Sequence, residues 1–154
     1  MIDVVHGRGC YVYVTPEVRV ASDPNLSIDC LQRTLQKIEE RDGFLPPNLC
    51  IQFDNCAREN KNAYMVAYLT WLLERGVFKR IQMSFLPVGH THNGCDQCAS
   101  CSSIACRNNN VVTLQDLIGL IEKSYYPLPE VEYIAEVAHV KKMMNPELKP
   151  QYGT

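Results

Sequence analysis

No stretch of this chain approaches the roughly 18 consecutive apolar residues of a membrane span. Its opening, Met1-Ile2-Asp3-Val4-Val5-His6-Gly7, lacks the charged and apolar regions of a secretory signal. These absences exclude a membrane partner from the reading and favour an intracellular place, nucleus or cytoplasm. An excess of basic charge is missing too: 15 Lys and Arg stand against 17 Asp and Glu, for a net charge of -2. The whole molecule therefore has no electrostatic footprint for nucleic acid, and a DNA contact would need basic residues supplied by another domain. Internal repeats and low-complexity tracts are also lacking. What remains is 154 residues with a globular hydrophobic fraction, one ordinary domain long enough to bury a core.

Cysteine, by contrast, is plentiful. A disulfide framework needs an export signal as well as thiols, so the eight cysteines read as reduced. Four of them, Cys95, Cys98, Cys101 and Cys106, crowd one short segment.

Taken in order, Val4-Val5, Gly7-Arg8-Gly9 and Cys10 to Val14 predict the end of one strand, a glycine turn and a second strand rich in Tyr and Val. The first strand is barely begun, which suggests a start inside a domain. Residues 16–24 read as a loop. Ser27 is the expected cap of a helix with Ile28, Leu31, Leu35 and Ile38 on one face and Gly43 as its stop. Leu49, Ile51 and Phe53 alternate as in a buried strand, and so do Ile81, Met83 and Phe85. The segment 62–75 between them predicts one wide-striped helix, expected among the most buried elements. Strand, helix, strand favours parallel neighbours with both polar tips at one sheet edge, where open α/β sheets bind ligands. Further on, 96–106 reads as a helix of small residues. Thr113 and Asp116 form a capping-box pattern, and 131–144 reads as helical.

The two tips hold the chemistry. Asp54 ends the first strand, and Asp96 follows the second. Two converging carboxylates suit a hard divalent cation, magnesium or manganese, and metal-assisted phosphodiester chemistry. The alternative for Asp54 is that it caps the helix that follows. Asn55, Arg58, Glu59 and Lys61 are the candidate substrate contacts, with Arg58 able to meet a phosphate; Asn55, Asn60 and Asn62 are also good turn-formers. His90 and His92 serve equally as neutral ligands or proton carriers. His6 and His139 read as structural.

A competing arrangement is zinc held by His90, His92, Cys95 and Cys98, since CxxC is a zinc-knuckle spacing. All these candidates fall in one run, however, whereas a zinc ribbon needs a second ligand pair beyond a loop. In a helix, Cys95, Ala99, Ser102 and Cys106 would share one face, with Cys98, Cys101 and Ala105 on the next, as small buried residues do.

The segments LPPNLCIQFDNCARENKN and GVFKRIQMSFLPVGHTHNGCDQCASC closely resemble the carboxyl-terminal region of a large eukaryotic family catalogued as a domain of unknown function. That family looks transposon-derived, with a ribonuclease-H-like, DDE-transposase-like core, and the likeness runs from about Val5 to the helix at Leu114. It implies that Asp54 is the second catalytic-type acid, that Asp96 stands where the third falls, and that His90 and His92 match a His-Thr-His turn; DNA is a candidate partner. Two departures stand out. An acid of the family pattern is replaced by Gly94, and an aromatic by Ala99. The family's first acid belongs on an opening strand that this chain is expected to lack, and Asp3 is a poor substitute.

The expected fold is therefore α/β, a mixed ribonuclease-H-type sheet flanked by helices and lacking its first strand, with a core over 1–126 and an extension over 127–154. The expected function is a transposase-derived, nuclease-like domain with catalytic candidates Asp54, Asp96, His90 and His92, whose metal site is incomplete without the first acid. The alternatives are a non-catalytic nucleic-acid- or protein-binding remnant and a zinc-binding module.

Overall fold

The structure, a computed structural model, describes residues 1–87 and 93–144. His90 and His92 lie outside the described residues. The fold is α/β, with its strands in a three-stranded mixed sheet and a two-stranded parallel one. The chain divides into two compact units, Met1–Pro16 with Thr91–Ala135, and Glu17–His90 with Glu136–Thr154.

In the first unit, β1 (Ile2–Val5) runs antiparallel to β2 (Gly9–Val14) through a turn in which Gly7 takes φ 70° and the Arg8 amide donates to the Val5 carbonyl. A φ of that sign suits glycine and few other residues. Along its other edge β2 pairs in parallel with β5 (Pro129–Tyr133), so β2 is the middle strand. Its position explains its composition: Cys10, Tyr11, Val12 and Tyr13 are all buried, as suits a strand covered on both faces. Cys10 and Val12 pack with Cys98 of α3 (Gly94–Asn108) and Ile121 of α4 (Leu114–Ile121). Thr113 caps α4 in the expected box with Asp116.

β5 corrects the reading of 131–144 as one helix. Glu130, Val131, Glu132 and Tyr133 alternate with period two, and the open edge of β2 supplies the ladder that such a segment needs. Pro129, which has no amide proton to donate, stands first in this edge strand, where the lack costs least. Only α5 (Val140–Met144) is helical in that stretch.

The second unit is built around α1 (Pro24–Asp42). Its cap is Asp23, whose Oδ1 accepts from the Asn25 amide at 2.8 Å, and not Ser27. Pro24 sets the first helical φ in advance, which starts the helix one turn earlier than the apolar pattern alone suggests. Ser27 is buried in that first turn, and Gly43 closes the helix at φ 78° as expected. β3 (Asn48–Phe53) and β4 (Arg80–Phe85) pair in parallel from Asn48↔Arg80 to Phe53↔Phe85, joined by α2 (Ala63–Glu74). The strand–helix–strand unit is thus as the alternation foretold. On the covered side Leu49, Ile51, Phe53, Ile81 and Met83 pack on a core of Ile28, Leu31, Leu35, Met65, Tyr68, Leu69, Leu72 and Phe78. Asn48, Cys50, Gln52, Arg80 and Gln82 on the other side are exposed.

Two further expectations change. The most buried helix is α1, with ten of its 19 residues buried against four of 12 in α2, where Leu73 of the wide stripe stays exposed. The single mixed sheet expected is drawn by hydrogen bonds as two ladders: among the described residues the outer edges of β1 and β3 pair with no further strand.

Candidate functional site

β3 delivers Asp54 to the carboxyl end of the parallel pair, where the chain turns out of the sheet. The loop from Asp54 to Asn62 is then held by its own side chains. Asp54 Oδ1 accepts from the Cys56 amide at 3.2 Å and from Asn60 Nδ2 at 2.6 Å. The Cys56 carbonyl accepts from the amides of Asn60 and Lys61, both at 2.9 Å. Asn62 finishes the loop: its Nδ2 donates to the Glu59 carbonyl at 3.0 Å, and its Oδ1 accepts from the Met65 amide at 3.1 Å, capping α2. Asn62 is therefore the cap that Asp54 was weighed for. The asparagines behave as turn residues do, bonding nearby backbone.

One atom of this loop stands out. Asn60 is 6% exposed, and its Oδ1 has no hydrogen-bond partner among the described residues, although its Nδ2 is committed to Asp54. A buried amide oxygen without a donor costs about 1–3 kcal/mol, which a water or a bound group would relieve. The other candidates spread around it. Lys61 Nζ bonds Asn55 Oδ1 at 3.0 Å and lies 5.4 Å from the centre of the Phe85 ring, drawing the β3 tip towards the β4 tip; Arg58 is exposed and Glu59 half-buried.

Asp96 belongs to the first turn of α3. The Asp96 amide donates to Asn93 Oδ1 at 3.0 Å, and its Oδ2 accepts from the Asn93 amide at 3.3 Å, a reciprocal capping box that satisfies two donors the helix cannot. Gly94, where an acid is expected from the resemblance, packs on β1: a Cβ there would stand 3.1 Å from Val4 Cγ1. A larger side chain would have to push Val4 aside.

The cysteines of α3 divide by depth. Cys98 is fully buried, and Cys95, Cys101 and Cys106 are half-buried, while Ala99, on the same face as Cys95, is exposed and not buried as the spacing predicts. The Cys95 thiol donates to the Ile2 carbonyl at 3.3 Å. Burial pushes that thiol up against a smaller opposing pull from the Val4 backbone, with Asp3 and Asp96 adding to the rise. Cys10, 3.4 Å from Cys98 across sulfurs, is pushed up by its own burial and by Cys98. Sequence reasoning passed over Cys10, because its partner lies 88 residues away and nothing local marks it. No three His, Cys, Asp or Glu side chains gather into a metal-ligating group among the described residues.

Comparison with known families matches residues 3–153 to DUF7869, described as a domain of unknown function. The chain belongs to the DUF7869 family. Neither curated proteins nor solved structures give a match. In this DUF7869 chain the match spans both units, so the Asp54 loop and the α3 cap are both family ground. No described helix is long and apolar enough to cross a membrane.

Proposed function

We propose that this DUF7869 chain is a transposase-derived, nuclease-like domain in which Asp54 holds a divalent cation, with Asp96 as the further acid that the resemblance implies and His90 and His92 as groups that orient water or phosphate. The observation that carries the reading is the β3 tip. A parallel strand–helix–strand unit presents a carboxylate at its ligand-binding end, and beside it stands the buried amide oxygen of Asn60 without a donor. Carboxylate and amide oxygens are the hard ligands that magnesium and manganese take. The donor set therefore fits such an ion, and Asp54 and Asn60 would hold it, with the rest of its shell left to water and substrate. Bound there, the metal would supply a Lewis acid for a phosphoryl oxygen. Arg58 and Lys61, on the same loop, would bring positive charge to a phosphate.

A second reading has its own observation. Asp54 Oδ1 already organises its loop, and Asp96 already caps α3; in a non-catalytic nucleic-acid- or protein-binding remnant those roles are sufficient. Manganese titration separates the two. Asp54→Asn keeps an oxygen that can accept from the Cys56 amide but removes the charge, whereas Asp54→Ala removes both. On the metal reading, saturable manganese binding by the parent chain is lost in both variants. If the parent takes up no manganese, or Asp54→Asn binds it as the parent does, the metal reading fails and the remnant stands.

A further inference from the structure

Cys10 lies in the middle strand of the first unit, opposite Val4 on one side and Pro129 on the other. Its thiol meets that of Cys98 on α3 at 3.4 Å between sulfurs. Both cysteines are free and out of reach of solvent, 1% and 0% exposed, packed among Val12, Ile121, Leu117 and Val131. One helical turn earlier stands Cys95, half-buried, its sulfur 3.3 Å from the Ile2 carbonyl. Residues three apart on a helix share a face, so Cys95-Asp96-Gln97-Cys98 sets a more accessible thiol one turn from Cys98 on the same side of α3. A single buried cysteine is ordinary core packing. Two sulfurs in contact, with a third one turn away, are a dithiol arrangement.

We propose that Cys10 and Cys98 form an oxidisable dithiol site, converted by peroxide into a disulfide that ties β2 to α3, with Cys95 as the thiol that meets the oxidant first. The sulfur of Cys95 attacks one peroxide oxygen and the O–O bond breaks; Cys95 becomes a sulfenic acid, and its proton leaves with the other oxygen as water. Cys98 sulfur then attacks Cys95 sulfur, forming an S–S bond, and the sulfenic hydroxyl departs with the Cys98 proton as a second water. In the last step Cys10 sulfur attacks Cys98 sulfur, the Cys95–Cys98 bond breaks, and the Cys10 proton passes to Cys95. Two thiols are oxidised by two electrons, and one peroxide is reduced to two waters. The bond to be made needs sulfurs at about 2.05 Å, so the observed 3.4 Å must close by about 1.4 Å. Enclosure in apolar side chains then shields the product from exchange with small thiols, which depends on access to the sulfur attacked.

The test uses the full chain and hydrogen peroxide. After oxidation, thiols are titrated under denaturant, and the remainder is alkylated and digested without reductant for mass mapping. The expected result is a fall from the eight cysteines of the sequence to six reactive thiols, with one cross-linked peptide joining Cys10 to Cys98 that dithiothreitol releases. Cys95→Ser should reach the same cross-link more slowly, and Cys10→Ala should leave the bond at Cys95–Cys98. Eight thiols remaining, or a link that settles elsewhere in the parent chain, overturns the proposal; an unchanged rate in Cys95→Ser removes Cys95 from the route. The parent-chain map decides the main point even if Cys10→Ala does not fold.

Discussion

Asp23 does two things with one carboxylate. Oδ1 caps α1 through the Asn25 amide, and Oδ2 accepts from Lys141 Nζ at 2.8 Å, fastening α5 to the start of α1. Lys141 is fixed further by its own amide, which donates to Asn25 Oδ1 at 2.9 Å. Partial burial alone would push the Asp23 carboxyl up, but the Lys141 ammonium and the Asn25 amide outweigh it and hold it below 3.8. A lowered carboxyl contributes its stability in full above the ordinary value and loses it as pH falls through the folded one. Asp23→Ala should therefore cost about 1 kcal/mol at neutral pH, the usual worth of a cap. In urea melts its deficit against the parent should shrink only below pH 3.8.

The opposite sign holds at Tyr68, whose hydroxyl is pushed up to about 12 by burial and then by Asp29. The neutral phenol is favoured in the folded chain, so stability is complete below pH 10 and drains away between pH 10 and about 12. Over that window the parent should lose on the order of 2–3 kcal/mol through this group. Tyr68→Phe should be spared that loss, which denaturant melts at the two ends of the window would show.

At the scale of elements, the legible parts were those whose cause is local. The alternation of Leu49, Ile51 and Phe53, the spacing of Ile28, Leu31, Leu35 and Ile38, and the Thr113–Asp116 box each carry their signal within a few residues, and β3, α1 and α4 stand where they point. What escaped was decided at a distance. β5 shows only a four-residue alternation of its own, and it is a strand because β2 offers an edge more than a hundred residues earlier in the chain. The start of α1 turns on the Asp23 cap and the fixed φ of Pro24, which the apolar spacing after Ser27 does not carry. The Asp54 position was legible, but its bond to Asn60 was not, since a six-residue loop can fold back in many ways. Asn93, which no reading of the sequence singles out, proves to be the α3 cap. Asn93→Ala should lower stability by roughly 0.5–2 kcal/mol, seen as faster amide exchange in the first turn of α3 with no change in the exchange of α2.

For the molecule as a whole, each unit draws on two separated stretches of chain, 1–16 with 91–135 and 17–90 with 136–154. Neither can be completed by contacts between near neighbours in sequence, so folding has to close long loops, a feature of slow folders. Each has its own apolar centre, Met65 and Ile28 in one, Cys10 and Cys98 in the other. Met65 is fully buried, and Met65→Ala should cost about 2–5 kcal/mol. Hydrogen exchange should show that loss first in α1, α2 and β3, the elements that line the same centre.

The place of β5 bears on how this protein can be handled. Because β5 covers the second edge of β2, a fragment ending at residue 126 would bare the backbone donors and acceptors of Gly-Cys-Tyr-Val-Tyr-Val, an uncharged, strongly strand-forming hexapeptide. Such an edge recruits other chains in place of the one it has lost. Trimming the carboxyl-terminal tail should thus yield not a tidier domain but a sticky one, and light scattering of the shortened fragment should rise with concentration while that of the full chain stays flat.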